Sequence, residues 1–391
     1  MREGSKVEIP ELSEYAATGS AVFNVLGVHA GGMGICVHLN HPDTGAQYAL
    51  KGVRPDYIGD RDSLDRFLDE LQAWLSASMC SLVAEAIAVV RINESPCVLG
   101  AWMQKGDLAH ALPNLNPRQK LETLIRIVRG LSWVRNNLGI IHRDLKPANV
   151  LLDRDNLAYV ADWGLARPVG HAMAAVRESL RQQAVERPDR TQAGSFIGTV
   201  TYAAPEQIQG AADIDHRADI YALGCMMFEF ETGSPPFTGR TAVDIARQHI
   251  HTPPPKLGGW FKSTSLGLET VIAKCLEKNP ASRYATYDEL DANLVGLAKK
   301  HGVTLDRCAV GTRYERAPLG KGYLKQNIVL TQTPVKGKDG YALVEFDEIV
   351  PFLREAMNLM ALARYAEAEK LLLPHFLPEF LSVMYWQING H

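Results

Sequence analysis

The sequence has few cysteines, no long apolar run and no block of like charge. Its six cysteines, Cys36, Cys80, Cys97, Cys225, Cys275 and Cys308, are scattered along 391 residues. None forms a C-x-x-C pair or a Cys/His cluster at zinc spacing, which argues against a disulfide scaffold and a structural zinc site. They read instead as reduced, small apolar residues, as in a cytosolic protein. No window reaches the ~18 consecutive apolar residues that a membrane-crossing helix requires. The opening residues, MREGSKVEIPELSEY, lack the apolar centre of a secretory signal. Lys and Arg are not gathered into a polybasic stretch and the net charge is -3, so nothing marks a nucleic-acid or lipid partner. The expectation is a soluble, cytoplasmic protein.

What is present is an ordinary globular balance, 46% hydrophobic and 22% charged, with material for a sizeable core. Residues 1–20 are polar and read as a flexible leader. Residues 21–103 read as strand-rich, with AVFNVLG and ICVHLN on either side of Gly31, Gly32 and Gly34, and QYALKGV as a third strand. Leu64, Phe67, Leu68, Leu71 and Leu75 share one face of a helix predicted over Arg61–Leu75. Residues 104–300 read as helical. Asn116 is a predicted N-cap with Pro117 at the first helical position, and Leu121, Leu124, Ile125, Val128 and Leu131 make an apolar stripe ending near Gly139. A second apolar helix is predicted over Asp219–Thr232, stopped by Gly233.

Chemistry concentrates in Ile141-His142-Arg143-Asp144-Leu145-Lys146-Pro147-Ala148-Asn149, a polar cluster between apolar runs. Charged residues so placed are costly unless they project from a loop into a site. A second acid, Asp162, follows another apolar run and precedes Trp163 and Gly164. Asp144, Asn149 and Asp162 thus offer a sparse set of hard oxygens, suited to Mg²⁺ shared with phosphates.

The loop H-R-D-L-K-P-x-N followed by D-x-G resembles the signature of the protein kinase family, over about residues 20–300. The resemblance implies an α+β, two-lobed kinase fold, with a small β-rich N-lobe and a large α-helical C-lobe, that uses ATP and Mg²⁺ on protein substrates. It implies that Asp144 orients the acceptor hydroxyl and takes its proton, and that Asn149 and Asp162 hold Mg²⁺. Lys146 would stand beside the γ-phosphate, a pattern typical of serine/threonine kinases. Lys51, in Tyr48-Ala49-Leu50-Lys51, would hold the α- and β-phosphates. Its acidic partner would be Glu70, with Asp69 as runner-up. Thr199 would contact the catalytic aspartate and lysine, Glu206 would pair with Arg283, and Asp219 would hold the catalytic loop. Gly31, Gly32 and Gly34 would form the phosphate loop, in a Gly-Gly-Met-Gly pattern similar to bacterial signalling kinases. Ala101 and Met103 would form the hinge against the base.

Several positions depart from the family pattern. His29 stands where the first glycine of the loop belongs, implying a distorted loop or a small insertion. Trp163 replaces the usual phenylalanine, and would need more room to pack against the helix bearing Glu70. Gly100 falls at the usually bulky gatekeeper position. The activation segment from Asp162 to Glu206 is longer than is common, with Met173, Val176, Leu180 and Ala184 at helical spacing. That extra stretch is either a docking element or a surface insertion. Thr191 and Ser195 are candidate phosphorylation sites for Arg143 to hold. His29 and Trp163 leave a pseudokinase scaffold as the competing reading.

Residues 301–350 read as a linker in which NIVLTQT and YALVEF flank a Lys-Asp-Gly turn, a possible β-hairpin. FLREAMNLMALARYAEAEKLL, within 351–391, resembles the helix-turn-helix of a tetratricopeptide repeat, a surface for a protein partner. One repeat and part of a second cannot bury a solenoid face well, so the expectation is a fragment of a longer protein; an unrelated helical tail is the alternative.

Overall fold

The structure, a computed structural model, describes residues 2–9, 22–30, 34–53, 73–92, 95–163, 200–211, 213–257, 266–311, 329–330, 332–337 and 340–345. The chain forms two compact units. The first comprises Met1–Arg61, Ala86–Trp102 and Ala317–His391, and the second Asp62–Glu85 and Met103–Arg316.

The first unit is built on a seven-stranded sheet, ordered β1-β2-β3-β4-β6-β5-β10. Its strands are β1 (Lys6–Glu8), β2 (Val22–Ala30), β3 (Gly34–Asn40), β4 (Gln47–Val53), β5 (Ala86–Ile92), β6 (Ser95–Ala101) and β10 (Val329–Leu330). Period-two alternation sends Phe23, Val25, Val37, Leu39, Leu50, Val90, Cys97 and Leu99 into one apolar core. Leu50 stands opposite Val37 and Leu99, so its neighbour Lys51, opposite Cys36 and Val98, belongs to the other face. A bulge between Val25 and Gly27 shifts the β2–β3 register by one residue.

The flexible leader expected over residues 1–20 is corrected at its start. Lys6–Glu8 pairs with Val22–Asn24. Ile9 is fully buried in the sheet core and Val7 packs against it. Two apolar residues at alternating positions are enough to seat this short strand on one face. The boundary expected at residue 103 for the strand-rich part also changes. Ala77, Cys80, Leu82 and Val83 are buried in the core of the second unit. Ala84 N–H donates to the Val160 carbonyl at 2.8 Å, and Val160 N–H to that of Leu82 at 3.0 Å.

The second unit is mostly helical. Helix α1 (Pro117–Leu138) starts at Asn116, whose side chain accepts from Gln119 N–H while the Gln119 side chain accepts from Asn116 N–H. This reciprocal cap satisfies two otherwise orphaned donors. Gly139, at φ 67°, ends the helix in the left-handed conformation that glycine adopts without steric cost. Leu121, Leu124, Ile125, Val128 and Leu131 are all buried, as their spacing predicted. Helices α2 (Pro205–Gln209), α3 (Arg217–Thr232), α4 (Ala242–His251), α5 (Glu269–Cys275) and α6 (Tyr287–Lys300) follow. Helix α3 is buried on nearly every side. At Gly224 a Cβ would stand 2.7 Å from that of Cys275, so a glycine is needed where α3 meets α5. Strands β7 (Gly106–Asp107), β8 (Val150–Leu152) and β9 (Ala158–Val160) form a small sheet that carries the polar loop of residues 142–149.

Strands β11 (Gln332–Gly337) and β12 (Gly340–Glu345) form an antiparallel hairpin in which Gly337 faces Gly340. The predicted first strand, NIVLTQT, is divided. Val329–Leu330 pairs in parallel with β5, and the hairpin strand runs over 332–337. The tetratricopeptide-like stretch lies outside the described residues. Among the described residues no helix is long and apolar enough to cross a membrane. Five of the six cysteines are buried. Burial pushes the thiols of Cys225 and Cys275 well up.

Candidate active site

The polar loop is held by a buried carboxylate on α3. Asp219, 1% exposed, accepts from His142 N–H at 3.0 Å, Arg143 N–H at 2.8 Å and the Tyr287 hydroxyl at 2.8 Å. Burial raises its pKa from the ordinary carboxylate value, opposed by His142 and by these donors. Arg143 sits at φ 65°. That conformation costs a side-chain-bearing residue roughly 1–2 kcal/mol. Its peptide is gripped on both sides, since Gln207 Nε2 donates to its carbonyl at 2.8 Å. The His142 ring joins this loop to the next one through Nε2 and the Ala161 carbonyl, 2.9 Å apart. A carbonyl only accepts, so that nitrogen carries the proton.

Held in this way, the loop brings Asp144, Lys146 and Asn149 together. Lys146 Nζ lies 2.6 Å from Asp144 Oδ2, and Asn149 Nδ2 lies 3.1 Å from the same oxygen and 2.8 Å from the Asp144 carbonyl. Among the described residues these donors use Oδ2. The same bonds commit the amide nitrogen of Asn149, so its amide oxygen is the atom that would face a hard cation. Asp162 lies on the adjoining loop, at φ 62°. Ala161 N–H donates to the Asn149 carbonyl at 2.8 Å, fixing the two loops side by side. Aspartate tolerates this left-handed conformation better than most residues. The donor set of one amide oxygen and one carboxylate fits Mg²⁺, which takes few protein oxygens and shares the rest with phosphate and water. Trp163 is 1% exposed, packs on the His142 ring at 5.0 Å and donates to the Val160 carbonyl at 3.4 Å. The larger indole is therefore accommodated within the second unit.

Downstream, residues 200–206 are tied to the rest of that unit at several points. The expected pairing of Glu206 with Arg283 is present and bidentate, at 2.6 and 2.9 Å. Arg283, 3% exposed, also donates to the carbonyls of Glu277, Arg217 and Lys278. Gln207 is a residue that the sequence reading missed. Its Oε1 accepts from Ala204 N–H at 3.0 Å while its Nε2 holds Arg143, so one side chain links segment 200–206 to the loop of Asp144. Only its position beside Pro205-Glu206 hinted at it, because an amide's two partners cannot be read from spacing.

In the first unit, Lys51 shares its sheet face with Ala49 and, across β6, with Val98 and Gly100. Gly34 opens β3 opposite Val53. Ala101 closes β6 in this unit, and Met103 opens a turn of the second, its carbonyl accepting from Gly106 N–H. His38 stacks on Trp102 with ring centroids 3.6 Å apart, and His29 stands 6.3 Å from the same indole. Burial lowers the pKa of His38. His29 follows the bulge. Gly31, Gly32, Asp69, Glu70, Gly164, Thr191, Ser195 and Thr199 lie outside the described residues, as do Met173, Val176, Leu180 and Ala184.

A strand-rich unit bearing a half-buried strand lysine, and a helical unit presenting an aspartate, a lysine and an asparagine on one loop, define the class. The chain matches the protein kinase domain family over residues 22–294 and belongs to it. Its curated relatives include the serine/threonine-protein kinase PknB of Mycobacterium tuberculosis, 36% identical over 189 residues, 48% of this chain and 28% of that protein. PknB of Mycobacterium leprae is 32% identical over 253 residues, 63% of this chain and 38% of its own. PknB of Mycolicibacterium smegmatis is 35% identical over 189 residues, again 48% and 28%. The chain thus spans well under half the length of these relatives.

Proposed function

We propose that this domain transfers the γ-phosphate of ATP to serine or threonine hydroxyls of protein substrates. The observation that carries the reading is the Asp144 carboxylate, oriented through Oδ2 by Lys146 and Asn149. In this reading Asp144 Oδ1 takes the proton of the acceptor hydroxyl as its oxygen bonds to the γ-phosphorus, the bond to the β–γ bridging oxygen breaks and ADP leaves. Lys146 then offsets charge on the transferring group, and Lys51 holds the α- and β-phosphates. Asn149 and Asp162 would hold Mg²⁺, which when bound neutralises phosphate charge. Gly31, Gly32 and Gly34 would bring backbone N–H groups to the phosphates, with Ala101 and Met103 against the base. Glu70 would pair with Lys51, and Thr199 would contact Asp144 and Lys146.

Serine/threonine acceptors are supported by Lys146 and by the names of the relatives. The intact set of Lys51, Asp144, Lys146, Asn149 and Asp162 favours catalysis over a pseudokinase scaffold. A cytoplasmic setting, and a protein partner for residues 351–391, rest on the sequence reading alone. Incubating the purified chain with Mg²⁺, radiolabelled ATP and dephosphorylated casein tests the assignment. Label is expected on phosphoserine and phosphothreonine and is expected to be lost in Asp144→Asn. No transfer by the wild type, with nucleotide still bound, would leave the scaffold reading in place.

A further inference from the structure

One face of α4 carries the segment that leads into α2. Val200, Ala203 and Ile208 form a small separate core with Ile245 and Ala246, and Ala242 and Ile250 pack against it. These α4 positions, with His249, follow helical spacing and make one stripe. His249 is its polar member, 0% exposed, with its ring against Phe237 at 4.8 Å.

The hydrogen bonds around His249 have a fixed direction. Lys278 Nζ donates to the Tyr221 hydroxyl at 3.3 Å and to the carbonyls of His249 and Gln248 at 2.7 and 3.3 Å. The Tyr221 hydroxyl lies 2.9 Å from His249 Nδ1, and His249 Nε2 lies 3.0 Å from the Thr201 carbonyl. An ammonium only donates and a carbonyl only accepts. The order is therefore set from both ends: Lys278 to Tyr221, Tyr221 to Nδ1, and Nε2–H to Thr201. The alternative needs an imidazolium, buried and beside a cation. Burial, with Lys278, pushes the His249 pKa down to about 3, which keeps the ring neutral.

We propose that His249 is a positioning residue for the acceptor peptide, its Nε2–H fixing the Thr201 carbonyl and so the register of segment 200–204. The proposal rests on the kinase reading, in which this segment docks the substrate. The far end of the segment is joined through Gln207 to the carbonyl of Arg143, next to Asp144. His249 therefore sets one end of a short span whose other end adjoins the proposed base. Chains of hydrogen bonds polarise one another, so loss of any member weakens the last bond.

The test uses the full chain with casein as acceptor. His249→Phe keeps a ring but removes the donor, and is expected to raise the casein KM about tenfold while the ATP KM moves less than about twofold. His249→Gln, whose amide can donate to the same carbonyl, is expected to recover most of the loss. Amide exchange over 200–208 is expected to speed in His249→Phe while α1 stays protected. Nitrogen-15 NMR should show the Nε2–H tautomer in the wild type and a shift towards the other tautomer in Tyr221→Phe. An unchanged casein KM with unchanged exchange would overturn the proposal. So would an Nδ1–H tautomer, or parallel rises in both KM values with exchange faster throughout. If the wild type transfers no phosphate, the kinase reading fails, while exchange and tautomer still decide what His249 does.

Discussion

Helix α3 and its surroundings fix two loops by opposite means. The loop of Asp144 hangs from Asp219, an anion held by neutral donors: two backbone N–H groups and a tyrosine hydroxyl. Segment 200–206 is held through Glu206 and Arg283, two opposite charges joined by paired bonds, with backbone carbonyls taking further guanidinium donors. The first arrangement fixes backbone directly and admits a left-handed Arg143. The second fixes one side chain and leaves the backbone of 200–204 to His249 and Gln207. Precision at the loop of Asp144 thus comes from peptide groups, whereas segment 200–206 depends on side chains.

Substitutions can break this contrast, beginning with the largest effect. Asp144→Asn keeps an acceptor for Lys146 but removes the proposed base, and transfer to casein is expected to fall about 10²–10⁴-fold with unchanged nucleotide binding. Glu206→Ala leaves the Arg283 guanidinium buried without its anion and is expected to cost about 3–5 kcal/mol in urea unfolding. If it cost no more than a surface substitution, segment 200–206 would not depend on that pair.

The next measurement uses pH. His249 has its pKa lowered to about 3 in the folded chain, from an ordinary 6.5. The unfolded chain therefore binds more protons between those values, and the contribution of His249 is present above pH 6.5 and lost as pH falls towards 3. Asp219 runs the other way, because its pKa is raised: its contribution falls as pH rises through the carboxylate range. The stability of His249→Phe is expected to fall less than that of wild type below pH 6.5, while Asp219→Asn should lose the opposing trend. The smallest effect is expected at Gly139, where nothing would touch an added Cβ and only the positive φ matters. Gly139→Ala should cost about 1 kcal/mol and leave both loops bonded.

Much of this was legible in the sequence where chemistry is local. Asn116, Pro117 and Gly139 marked both ends of α1, because caps act within a few residues. Asp144, Lys146 and Asn149 were legible because one loop carries all three. Asp219 and the Glu206–Arg283 pair were legible only through the family resemblance, since their partners lie far away in the chain. Gln207 and His249 were missed, because a buried amide or imidazole is defined by which backbone groups arrive beside it. The short strand at Lys6–Glu8 was missed for a different reason: three residues give too little alternation to separate a strand from a polar leader.

The bulge in β2 has its own consequence for the sheet. Were the strand continuous after Val25, Leu26 rather than Gly27 would stand opposite His38, and His29 would move to the side of Leu50 and Leu99. One surplus residue thus decides that hydrogen, not an isobutyl group, projects beside His38 on the lysine-bearing surface. Deleting Leu26 would remove the surplus residue and leave Gly27 opposite His38, with Val28 and His29 on their present faces, whereas a slip that kept Leu26 in the ladder would turn the end of the strand inside out.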